Sequence, residues 1–187
     1  MVQTPAKATT LTEFLALPES KPASEFINGQ IYQKPMPQGQ HSTIQGELVT
    51  QINQVAKPNK QAWAFPERRC TFGGRSIVPD IAVFTWERIP KLPNGNIANQ
   101  FLIAPDWAIE ILSPGQSSTR VTSNILHCMD NGTTLGWLID PEEELVLIYQ
   151  PGQLPRSLEV AHQSLAVPPF VSGLDLTVQS LLAWLKI

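Results

Sequence analysis

Apolar residues recur along this chain at two periods, and the changes of period mark its elements. Residues 10–17 read as a short helix, with Thr10 or Thr12 as the N-cap, Glu13 in its first turn and Pro18 as its stop. Glu25-Phe26-Ile27 and Gln30-Ile31-Tyr32-Gln33 flank Asn28-Gly29, a pair suited to the left-handed turn of a tight hairpin, so residues 24–34 are predicted as two antiparallel strands. Ile44, Leu48, Ile52 and Val55 return at helical spacing within residues 41–56, and Lys57-Pro58 closes that helix. Strands are predicted at 61–65, 70–72 and 80–84, followed by an exposed loop over 87–104, rich in Pro, Asn and Gly. Residues 106–112 form a nearly continuous apolar run, the mark of a central strand. A helix over 117–129 stops at Asn131-Gly132, and strands at 134–139 and 144–149 flank the turn Asp140-Pro141-Glu142-Glu143. Residues 151–173 carry Pro-rich turns with one or two edge strands, and 176–185 close the chain as a helix with Leu181, Leu182, Trp184 and Leu185 inward. This order predicts an α/β (α+β) fold: one mixed sheet flanked by helices, in a single domain over 1–187 with a flexible tail at 1–9.

Composition narrows the class. With 187 residues, 42% of them hydrophobic, the chain can bury a core without staples, which excludes a disordered or fibrous protein. No apolar run nears the roughly 18 residues of a membrane span. The N-terminus has no apolar signal core, so a cytoplasmic protein is expected. The net charge of −3 excludes a protein that is basic throughout, as a bulk nucleic-acid binder would be, while leaving room for a local basic cleft. Cys70 and Cys128 fit no metal or redox spacing and read as buried free thiols.

Two acids stand where acids rarely do. Asp80 opens the strand Ile81-Ala82-Val83-Phe84 straight after Pro79, and Glu110 lies inside Ala108-Ile109-Glu110-Ile111-Leu112. If those strands pair antiparallel across the intervening loop, Asp80 and Glu110 meet at one end of the sheet. Neighbouring carboxylates repel unless a proton or cation intervenes, and Mg²⁺ takes such hard oxygen ligands together with waters and phosphate. Taken alone, Asp80 also fits an ordinary strand-edge residue after proline.

With these residues in place the chain resembles the PD-(D/E)XK nuclease superfamily. The closer likeness is to its bacterial restriction-endonuclease-like proteins, formerly a domain of unknown function. The likeness runs over about residues 12–147 and rests on Glu25-Phe26-Ile27-Asn28-Gly29-Gln30, His41, Pro79-Asp80, Glu110-Ile111-Leu112-Ser113-Pro114 and Gly136-Trp137-Leu138-Ile139-Asp140-Pro141. It implies a central four-stranded mixed sheet, here with an added N-terminal hairpin and C-terminal strands. It also implies metal-binding roles for Asp80 and Glu110, a cleft-facing Glu25 and a catalytic-site His41. Read from the residues alone, Glu25 is equally an exposed strand acid and His41 a helix-start polar residue.

The chain departs from the superfamily at one position. The lysine two residues after the motif glutamate is Leu112 here, and the following helix holds no lysine, only Arg120 with Asn124 a turn further on. Arginine stays protonated and cannot act as a general base. Arg120 is expected to stabilise charge on phosphate, or to be a solvated first-turn charge, and Gln116 to orient a water. Lys57, Lys60, Arg68, Arg69 and Arg75 form a basic rim for DNA, or a solvated edge. The expected function is a Mg²⁺-dependent (or Mn²⁺-dependent) DNA endonuclease using metal-activated water. The alternative is a catalytically impaired, nuclease-fold DNA-binding or regulatory module. A homodimer fits cutting of both strands.

Overall fold

Each predicted element forms where its local chemistry places it. In the computed structural model, which describes residues 10–187, α1 (Leu11–Leu15) begins at a capping box in which Thr10 and Glu13 satisfy each other's backbone N–H groups. The tail expected over 1–9 lies outside the described residues. Phe14 of α1 packs on Phe26 at 5.6 Å between ring centroids, tying the helix to β1 (Ser24–Ile27) and β2 (Gln30–Gln33). Asn28 and Gly29 take φ of 52° and 79°, the left-handed pair of a two-residue hairpin. Helix α2 (Gly39–Ala56) buries His41, Ile44, Leu48, Ile52 and Ala56 along one stripe.

The remaining strands and α-helices are β3 (Ala62–Pro66), β4 (Cys70–Phe72), β5 (Arg75–Ile77), β6 (Ile81–Thr85), β7 (Trp107–Ile111), α3 (Ser118–Asp130), β8 (Leu135–Asp140), β9 (Leu145–Tyr149), β10 (Arg156–Leu158) and α4 (Val178–Ala183). A six-stranded sheet runs β10-β9-β8-β7-β6-β3, and its one parallel pair, β7 with β8, is joined by α3. On one face Ile81, Val83, Trp107, Ile109 and Ile111 pack against Ile44, Leu48 and Ile52 of α2. The opposite face carries Ala82, Ala108 and Glu110 by strand alternation.

The single mixed sheet expected from sequence is corrected here. The N-terminal hairpin joins a second, antiparallel sheet, β2-β1-β5-β4, and Ile27 and Ile77 of that sheet pack on Ala108 and Cys128. Strand β5 was not foreseen, because three residues with Arg75 and Ser76 among them give no alternation to read. Its turn was legible in principle: Gly73 and Gly74 take φ of 54° and 77° between the paired Phe72 and Arg75. The loop expected over 87–104 is exposed along most of its length but is tied to the core at three points. Ile89, Phe101 and Ala104 are buried, and Asp106 anchors the segment by accepting from Thr85 N at 2.7 Å and from the Arg88 guanidinium. Both cysteines are buried free thiols, and burial pushes the Cys70 thiol up to about 12. Among the described residues no helix is long and apolar enough to cross a membrane.

Gly136 lets α3 approach β8. A Cβ there would lie 2.4 Å from Ile125 Cγ2 and 3.1 Å from Met129 Cε. Gly136→Ala is expected to destabilise the fold by about 1–3 kcal/mol through overpacking. A denaturant midpoint equal to wild type would show that α3 moves aside without cost.

Candidate functional site

Strand register builds the centre of the site. Ile81 pairs with Ile109 in the antiparallel β6–β7 ladder, and one step beyond that pair Asp80 stands opposite Glu110. The two acids have the parity of the paired Ala82 and Ala108, so both leave the α2 face and point toward the second sheet. Only 1% of Asp80 and 2% of Glu110 is exposed. Asp80 Oδ2 accepts from Ile111 N at 2.7 Å, and His41 Nε2 lies 3.1 Å from the same oxygen.

A third group stands between the acids. Lys34 Nζ donates to Asp80 Oδ1 at 2.7 Å, to Val78 O at 2.7 Å and to Glu110 Oε2 at 3.4 Å. Sequence reading missed Lys34, although the hairpin arithmetic contains it. A two-residue turn at Asn28-Gly29 sets Glu25 opposite Tyr32 and Lys34 opposite Ala23, and Lys34 N donates to Ala23 O at 2.8 Å. Opposed residues share a face, so Tyr32 and Lys34 lie on the face of Glu25.

Burial and charge divide these groups. Burial works to raise the Asp80 carboxyl, but Lys34 and His41 outweigh it and hold Asp80 well below the usual carboxylate range. Glu110 goes the other way. Burial raises it most, Lys34 pulls it down, and the nearby Asp80 and Glu25 carboxylates add to burial, so that it lies well above its ordinary value. Burial would lower Lys34, but Asp80, Glu110 and Glu25 keep its ammonium protonated far above the ordinary lysine range.

Glu25 is buried with 4% exposure, which removes its reading as an exposed strand acid. Its Oε1 accepts from Val78 N at 2.8 Å and its Oε2 from Asn124 Nδ2 at 3.0 Å. Two buried side-chain atoms beside this network, Asn124 Oδ1 and His41 Nδ1, have no hydrogen-bond partner among the described residues. Arg120 sits 3.6 Å over the Tyr32 ring. Gln116 is pinned to its own loop, with Oε1 accepting from Ser113 N at 3.1 Å. A cavity of about 300 Å³ is lined by Glu25, Lys34, Gln116 and Arg120, and a second of about 390 Å³ by His41, Leu112, Ser113 and Gln116. A narrow neck of about 10 Å³, walled by Lys34, His41, Glu67 and Asp80, shares Lys34 with the first of these cavities and His41 with the second.

The five cations expected as one basic rim do not form one, which corrects that expectation. Lys57 and Lys60 lie at the far end of α2, roughly 24 Å along the helix from His41. Lys57 covers the Trp63 ring at 3.7 Å. Arg69 is held by Glu19 at 2.7 and 2.9 Å and by Ser24 O at 3.0 Å. Arg75 reaches Ser123 on α3. Arg68 makes no ion pair among the described residues and lines a cavity of about 580 Å³ that shares Ala23 and Glu67 with the neck beside Asp80.

The donors present suit a hard divalent ion. Among the described residues no group of three or more His, Cys, Asp and Glu is placed to hold one ion. Mg²⁺ nevertheless needs only one or two carboxylates with waters and phosphate. The Lys34 ammonium, seated between Asp80 and Glu110, marks a place where a positive charge is welcome.

Comparison with known proteins agrees with this architecture. A family profile, Uma2, described as "Putative restriction endonuclease", matches residues 11–179. A crystal structure described as "a putative nuclease belonging to DUF820" from Anabaena variabilis is 58% identical, with 95% of this chain and 99% of that chain covered and a TM-score of 0.93. No curated protein matches the chain. The fold is thus the mixed α/β, restriction endonuclease-like one.

Proposed function

The chain belongs to the Uma2 family, and from that footing we propose that it is a Mg²⁺-dependent endonuclease hydrolysing DNA phosphodiester bonds. The observation that carries the reading is the pair of buried carboxylates, Asp80 and Glu110, aligned by register with a positive charge between them. Asp80 and Glu110 would hold the metal, with Mn²⁺ as a substitute. When bound, the ion supplies Lewis-acid polarisation of the phosphodiester and a more acidic attacking water. In the hydrolysis the water oxygen bonds to phosphorus and the water gives up a proton, one P–O ester bond breaks, and the leaving oxygen takes up a proton in its place.

The chain's own residues do the rest. His41 and Ile111 N fix the Asp80 carboxylate. Glu25, braced by Val78 N and Asn124, adds negative charge beside the metal position and acts through water. Arg120 and Gln116 line the cavity a phosphate would enter, where Arg120 stabilises its charge. Arg68 extends the path for DNA along the neighbouring cavity. Leu112 in place of the motif lysine favours the rival reading, a DNA-binding module that does not cut.

Calorimetric titration with Mn²⁺, run beside plasmid cleavage in Mg²⁺ and in EDTA, separates the two. The nuclease reading expects binding of the ion and conversion of supercoiled plasmid only with metal. Salt-sensitive DNA binding without cleavage in either metal would establish the rival.

A further inference from the structure

We infer that Lys34 is the catalytic lysine of this site, delivered to the scissile phosphate by the N-terminal hairpin instead of by the motif strand. The inference rests on the nuclease reading above and concerns which residue supplies the charge. The usual sources are closed. Leu112 packs against the cluster of Val121, Ile125, Leu138 and Tyr149 beneath α3. Asn124, a turn along α3 where a lysine could otherwise stand, is uncharged and bonded to Glu25, and Arg120, over the Tyr32 ring, reaches the phosphate cavity but neither Asp80 nor Glu110 among the described contacts. Among the described residues, Lys34 alone brings an ammonium to both Asp80 and Glu110.

Its setting is a built one. The hairpin fixes the backbone of Lys34 against Ala23, and its side chain is only 13% exposed. Three acceptors, Val78 O, Asp80 Oδ1 and Glu110 Oε2, match the three protons of the ammonium. Lys34 also walls both the neck at Asp80 and the cavity that holds Arg120 and Gln116, so its head can reach an oxygen of a phosphate in that cavity. A lysine stem has the freedom for that turn, because its charge sits on a flexible four-carbon arm.

One consequence separates this role from a structural one. A divalent ion held by Asp80 would need the carboxylate oxygen that Lys34 now occupies, so the two would compete for it. In the metal-free protein the ammonium holds the acids. With metal and substrate it yields that oxygen and contacts the phosphate. Removing it therefore tightens metal binding while slowing the reaction. A lysine that only braced the acids would give the reverse for the metal, since its loss would let the carboxylates splay.

The test is Lys34→Met, with Lys34→Gln beside it to keep a hydrogen-bond donor should the methionine variant fold poorly. Mn²⁺ binding is read by calorimetry, and single-turnover plasmid cleavage is measured at saturating Mg²⁺. The expected result is an Mn²⁺ dissociation constant lowered about threefold or more, with cleavage slowed about 10²–10³-fold, the loss typical of one electrostatic donor to a transition state. Cleavage within threefold of wild type would overturn the assignment, as would weaker Mn²⁺ binding in both variants. Wild-type protein that cuts no plasmid in the same assay fails the nuclease reading itself. Wild type that cuts, with variants that cut equally well, fails only the role of Lys34.

Discussion

Asp80→Ala is expected to lower Mg²⁺-dependent plasmid cleavage by at least about 10³-fold, a loss of roughly 4 kcal/mol of transition-state stabilisation, and to remove the Mn²⁺ calorimetric signal. The size follows from how many contacts end on this one carboxylate. Asp80 receives Lys34, His41 and Ile111 N. Alanine leaves the buried Ile111 N–H without an acceptor, which costs about 1–3 kcal/mol of stability in its own right. Asp80→Asn is the cleaner companion, since an amide oxygen still accepts from Ile111 N while the charge is gone. Both variants should fail to cleave, and Glu110→Ala should match them. Full cleavage by Asp80→Ala and Glu110→Ala, measured as loss of supercoiled plasmid, would remove the two acids from the chemistry and the proposed function with them.

The site was legible in proportion to how local its determinants are. Asp80 and Glu110 could be named because each is an acid inside an apolar strand, and their meeting needed only an antiparallel pairing across one loop. Glu25 and His41 rested on the family likeness, and the structure puts both within the buried network. Lys34 escaped because lysine in a short polar strand is ordinary. Its meaning appears only when hairpin register is counted through Asn28-Gly29 and the second sheet is laid against the first. That sheet could not be foreseen, since β5 contributes three residues and one residue pair to its contact with β1. The basic rim failed for a different reason. Nearness in sequence says nothing about which charges are already engaged, and Arg69 is held by Glu19 while Lys57 lies against Trp63. Helices and central strands came through well because their periodicity is repeated over many residues, so one exception does not hide it.

A nuclease site of this kind should weaken its own fold, and Glu110→Gln is expected to show it. In EDTA near pH 8 the variant should be more stable than wild type by about 2 kcal/mol, a rise in Tm of roughly 4–8 °C for a chain of this size. Glu110 sits buried beside Asp80 and Glu25 with one ammonium among three acids, and its carboxyl is held well above its ordinary value by burial and by its acidic neighbours. The sign follows directly. The folded protein keeps a proton on Glu110 that the unfolded chain releases, so this group's contribution falls as pH rises from the ordinary carboxylate range through the raised value. Glutamine cannot titrate, and its advantage should therefore widen with pH and vanish near pH 4. Saturating Mg²⁺ should reverse the order, because an ion bound only to the folded state at 100 times its dissociation constant adds about 2.7 kcal/mol to wild type and nothing to a variant that has lost a ligand. Thermal melts over pH 4–8, with and without Mg²⁺, would contradict this account if the variant were the less stable protein in EDTA at the alkaline end. Stability surrendered without metal and regained with it is the cost expected of carboxylates placed for an ion and not for the fold.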